Sequence, residues 1–196
     1  MKRIKKLMAA MLTAIMMMTM TVTAYAAEQN CTLTVSVKSG EPTQTLKGQT
    51  INLYKLFDVT ESKSGEITNY AYTVNTAAGY KDVLVAALNN SAITASSPDE
   101  EFAKAVLDLS AENKVQDFAN AFTTKALTKT PKLDATANSE KLGDVTSYKF
   151  TGLDAGYYLV YVTGGKEIQS SLVTVDKNTN TVNLKTEAPS ITKKAD

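Results

Sequence analysis

The sequence predicts a mainly β fold, a two-sheet β-sandwich interrupted by a helical insertion over about residues 78–127. Three observations predict it. Short stretches before and after that block alternate apolar and polar residues with period two. Inside the block the apolar period changes to that of a helix. Turn-forming Gly, Pro, Asn and Asp separate the short stretches, as in two-sheet antiparallel folds.

The chain opens with Lys2, Arg3, Lys5 and Lys6, an apolar run from Leu7 to about Val22, and Ala24-Tyr25-Ala26. All seven methionines lie at or before Met20. A basic start, an apolar middle and small residues at an A-x-A site read as a secretory signal peptide, residues 1–26. The alternative, a membrane anchor, needs about 20 apolar residues, and this run stops at the cleavage signal. Cys31 does not follow a lipidation pattern, because Glu28-Gln29-Asn30 precede it. It shares parity with Leu33, Val35 and Val37 and reads as a small core residue.

Thr32 to Lys38 is the first strand, ended by Ser39-Gly40-Glu41-Pro42. Ile51 to Phe57 is the second, and Tyr70 to Val74 the third. Tyr80, Val83, Leu84, Ala87 and Leu88 then form a helical stripe. Ser97-Pro98-Asp99-Glu100 is the pattern of a helix start, with Ser97 as cap and Glu100 closing a capping box. Phe102, Val106 and Leu109 continue that helix, and Val115, Phe118, Ala119 and Phe122 mark another. Strands return at Ser147–Thr151 and Tyr157–Thr163, joined by the turn Gly152–Gly156. Ser171–Val175 and Thr181–Leu184 read as a hairpin across Asp176–Asn180. One domain therefore spans 27–187. Residues 188–196 read as a linker or the start of a following domain, in a chain that stops before that domain does.

Composition removes whole classes of chemistry. The chain has no His, no Trp and one Cys. That excludes His-bearing triads and dyads, His-ligated metals, multi-Cys zinc or iron–sulfur sites and an internal disulfide. A net charge of +1 gives no electrostatic reason to expect nucleic acid. No cofactor is expected. The acidic run Asp99-Glu100-Glu101 sits at a predicted helix start, where carboxylates favour the helix dipole, so it needs no catalytic role. The chain reads as a non-enzyme.

Four segments, in their order and spacing, resemble one family. Leu33-Thr34-Val35-Ser36-Val37-Lys38 is similar to a first strand carrying a Lys. Gly48-Gln49-Thr50-Ile51-Asn52-Leu53-Tyr54-Lys55 resembles a G-x-x-F-x-L-Y-K strand. Phe150 to Val160, FTGLDAGYYLV, resembles F-x-G-L-x-x-G-x-Y-x-L. Val173-Thr174-Val175 with Thr181-Val182-Asn183 is similar to a closing hairpin. The family is that of Gram-positive, sortase-assembled pilin subunits, isopeptide-forming fimbrial proteins of the collagen-adhesin B type. The resemblance covers most of residues 31–194. It implies an immunoglobulin-like sandwich with the helical insertion. It also implies a structural subunit of a pilus or fimbria at the cell wall, contributing to adhesion. The partners implied are other pilin subunits, sortase and a host surface or matrix ligand. The alternative on the same scaffold is an adhesin or matrix-binding domain of a cell-wall-anchored protein, with its contacts on the helices or loops.

The family's chemistry is a bond rather than turnover. A buried Lys on the first strand attacks an Asn or Asp side chain on the last, assisted by a buried acid. Burial lowers the amine pKa and raises that of the acid, which yields a neutral nucleophile and a proton donor. Carried over, Lys38 is the nucleophile and Asn183 the acceptor. The acid position falls on Val162, and Tyr157 to Thr163 contains no acid. The crosslink is therefore expected not to form, unless Asp144 or Glu167 reaches in from a neighbouring segment. Lys193 and Lys194 leave three readings open: the amine that sortase joins to the next subunit, the isopeptide Lys of a following domain, or two linker lysines.

Overall fold

The computed structural model describes residues 30–37, 44–64, 67–75, 78–128, 135–138, 144–165, 167–177 and 179–185. The expected signal peptide and the 188–196 segment lie outside these. The elements are β1 (Cys31–Val37), β2 (Thr50–Ser64), β3 (Ile67–Val74), α1 (Tyr80–Leu88), α2 (Asp99–Ala111), α3 (Val115–Thr128), β4 (Ala135–Asn138), β5 (Ser147–Leu153), β6 (Gly156–Thr163), β7 (Gln169–Val175) and β8 (Thr179–Leu184). The fold is mainly β, and the three helices among the described residues fall between β3 and β4, where the period changes.

The strands make two sheets. One has the order β5-β1-β8; the other has β3-β2-β6-β7, with β4 pairing β2 on the side of β3. Alternation decides which face each strand buries. Cys31, Leu33, Val35 and Val37 of β1 point inward, with Val182 and Leu184 of β8. They meet Ile51 and Leu53 of β2 and Tyr158, Val160 and Val162 of β6 in one apolar core between the sheets. The opposite face of the larger sheet, including Tyr54, Leu56, Tyr157 and Leu159, packs on the helices in a second core. Strand β6 is thus buried on both faces, which explains its almost unbroken apolar run.

Alternation breaks within β2. Leu56 and Phe57 both enter the helix-side core, at the point where β2 leaves β6 and takes β3 as partner. Asn75, 5% exposed, closes this irregularity. Its backbone N–H donates to Leu56 O at 2.9 Å and its Nδ2 to Lys55 O at 2.9 Å. Its Oδ1 accepts from Ala78 N at 3.2 Å, so one buried amide joins the bend to the start of the helical block.

Two expectations are corrected. Ser97 does not cap α2: its hydroxyl accepts from Thr94 N at 3.2 Å and closes the preceding turn. The helix starts at Asp99 after Pro98, with no side-chain cap. Asp99 instead accepts from Val74 N at 3.1 Å and pairs with Lys81 at 3.2 Å, fastening the helix to β3 and α1. The second correction concerns β7 and β8, which are not a hairpin. Strand β7 pairs β6, whereas β8 crosses to the other sheet and pairs β1. The physical reason is burial: Val182 and Leu184 complete the apolar face of β1, which a β7–β8 ladder would leave open.

Candidate functional site at the terminal strands

The first and last strands are neighbours. Strand β8 runs parallel to β1 in unbroken register from Thr32↔Thr179 to Val37↔Leu184. This places Asn183 opposite Ser36. Both are on the outer face, because their neighbours Val35, Val37, Val182 and Leu184 occupy the inner one. Ser36 Oγ donates to Asn183 Oδ1 at 2.8 Å, and Asn183 is exposed. Lys38, Lys193 and Lys194 lie outside the described residues.

Val162 is 2% exposed, between Ile51 of β2 and Gln169 of β7, and faces the core between the sheets. It therefore lies on the far side of the three-stranded sheet from the carboxamide of Asn183. Neither alternative acid enters that core. Asp144 is exposed and pairs with Lys47 at 3.3 Å, and Glu167 is exposed. The described residues thus offer Asn183 a hydrated surface and a hydroxyl partner, not a dry pocket with a proton donor.

A second cluster lies at the rim of the same core. Lys55 continues the Ile51–Leu53 face of β2, opposite Tyr158. Its side chain is 12% exposed, and its Nζ pairs with Asp58 at 2.8 Å and Asp154 at 3.5 Å. Both carboxylates are reached by water, at 43% and 49% exposure. That leaves Lys55 an ion-paired cation with a buried stem. The stem fits because residue 156 is glycine: a Cβ there would lie 2.6 Å from Phe57 O and 2.8 Å from Lys55 Cδ. Gly152, at φ +71°, makes the preceding bend. The buried Tyr158 ring sends its hydroxyl back to Asp154 O at 2.7 Å, pinning the turn between β5 and β6. The family-like FTGLDAGYYLV stretch is therefore a structural corner.

Sequence reasoning missed two features. The longer of the two Lys55 ion pairs needs Asp154, brought close only by β2–β6 pairing, so spacing gives no signal for it. Gln169, whose amide bonds the backbone of Lys185, lies ahead of the stretch that reads as a strand. No protein-family model matches the chain, and no curated protein or solved structure matches it either.

Proposed function

We propose that the chain is a non-catalytic structural subunit of a bacterial surface pilus or fimbria, built on an immunoglobulin-like sandwich and joined to its neighbours by sortase. The observation that carries this reading is the parallel pairing of β1 with β8. In a parallel pair the chain enters at one end and leaves at the other. Tension applied through the chain ends then shears every rung together instead of opening them one by one, which is what a fibre subunit needs. The backbone bond from Tyr158 resembles the tyrosine corner of immunoglobulin-like sandwiches and supports that finer fold. The export-type leader and the four family-like segments support the cell-surface setting.

The test is extraction of the source cells with a wall-degrading enzyme, followed by denaturing electrophoresis and detection of this domain. A ladder of species that survives boiling is expected, and Arg at both Lys193 and Lys194 should abolish it if either is the acceptor amine. A single monomeric band, found only in the medium, would overturn the proposal.

A further inference from the structure

We propose that Gln169 is a mechanical strap, a side chain that stands in for a strand residue and ties the exit of the last strand to the opposite sheet. No backbone ladder joins β7 to β8 among the described residues, because the two strands belong to different sheets. Where β8 ends, the side chain of Gln169 completes one rung. Its Oε1 accepts from Lys185 N at 2.7 Å, and its Nε2 donates to Lys185 O at 3.2 Å. This is the donor and acceptor pair that a neighbouring strand presents. The orientation of the amide is fixed by its partner, since a backbone N–H can only donate and a carbonyl only accept.

Gln169 is well placed to pass force onward. It opens β7, where it pairs in register with Val162 of the doubly buried strand β6. The next residue, Ser170, donates from Oγ to Gln116 Oε1 of α3 at 2.9 Å. Lys185 is the residue through which the chain leaves β8. Tension arriving from the C-terminal side thus meets the Gln169 rung before it reaches the β1–β8 ladder, and the rung spreads it into the five-stranded sheet. The proposal concerns the mechanics of this domain and does not depend on pilus assembly.

The experiment is single-molecule stretching of the full chain by handles at its two ends, comparing wild type with Gln169→Ala and Gln169→Glu. Glu keeps the acceptor for Lys185 N and loses the donor to Lys185 O. A second geometry pulls between the N-terminal end and a handle at the exposed turn residue Glu112, introduced as Glu112→Cys. Amide exchange of Lys185 is followed by NMR in parallel. The expected result is at least a tenfold loss of Lys185 protection in Gln169→Ala. The end-to-end unfolding force should fall in the order wild type, Glu, Ala, with no change in the Glu112 geometry. Lost protection with an unchanged end-to-end force would overturn the proposal, since the rung would then carry no load. An equal drop in both geometries would also overturn it, by showing a general loss of stability. Unchanged Lys185 protection in Gln169→Ala would show that the rung is not formed.

Discussion

Ser36 Oγ donates to Asn183 Oδ1 at 2.8 Å across the parallel pair of first and last strands, on the face turned away from the core. An amide held this way is hydrated and hydrogen-bonded to a neutral hydroxyl. Among the described residues, amine attack on it has neither a dry environment nor a carboxylic acid to assist it. The intact mass of the purified chain should therefore show no loss of ammonia between Lys38 and Asn183. A deficit of one ammonia that disappears in Lys38→Ala would refute this.

The same geometry predicts that an acid at position 162 will not rescue the bond. Val162 points into the core between the sheets, and Asn183 points out of it. Val162→Glu buries a carboxyl among Ile51, Leu53 and Val160 and cannot approach the amide. The expected outcome is an unchanged mass and a stability loss of roughly 2–5 kcal/mol, the scale for an unpaired buried polar group. Mass spectrometry and urea unfolding measure the two effects separately.

The outward direction of Asn183 was legible in the sequence, because Val182 and Leu184 flank it and strand residues alternate. The helical block was legible for the corresponding reason: Tyr80, Val83, Leu84 and Ala87 recur at helical spacing, and all four are buried. Strand β4, Ala-Thr-Ala-Asn, carries no pattern and exists only as a short partner of β2. The false hairpin had the right local signals, two strands around a polar turn. Its sheet assignment depended on β1, which lies far away in sequence. Lys55 was visible as a motif residue, but its role at the core rim depends on the bend at Leu56–Phe57 and on Asp154.

Gly156→Ala should destabilise the fold by about 1–3 kcal/mol, the usual cost of overpacking. The added methyl meets the Phe57 carbonyl, which is fixed backbone, and the stem of Lys55, which is held at its other end by two carboxylates. Gly152→Ala fails for a different reason, a left-handed φ of +71° in open space, and should cost about 1–2 kcal/mol. Adding Lys55→Ala should recover part of the Gly156→Ala loss and none of the Gly152→Ala loss, because the Lys55 stem is near a Cβ at 156 and not at 152. Urea midpoints of the single and double variants test this.

Lys55→Met should leave stability within about 1 kcal/mol of wild type, because ion pairs to water-exposed carboxylates contribute little. Lys55→Ala should cost more, since it also removes the stem packed against Gly156. The effect of Lys55→Met should shrink further in high salt, and that of Lys55→Ala should persist. A larger loss for Met than for Ala would show that charge, not packing, matters at this position.

Alkaline pH should weaken the fold through Tyr157. Burial, with a smaller contribution from neighbouring Tyr72, pushes its hydroxyl up to about 12. An unfolded tyrosine ionises near 10. The folded state therefore keeps its proton where the unfolded state has lost it, and stability falls with rising pH across that interval. Its contribution is fully present below about pH 10 and is lost as pH rises through about 12, a total of roughly 2–3 kcal/mol. Tyr157→Phe should remove most of this slope in urea midpoints measured from pH 9 to 12. A residual slope is expected from Tyr54, which burial and then Tyr161 also push up. An unchanged slope in Tyr157→Phe would mean that Tyr157 is not the group that opposes ionisation. In that case Tyr54→Phe should show the larger effect.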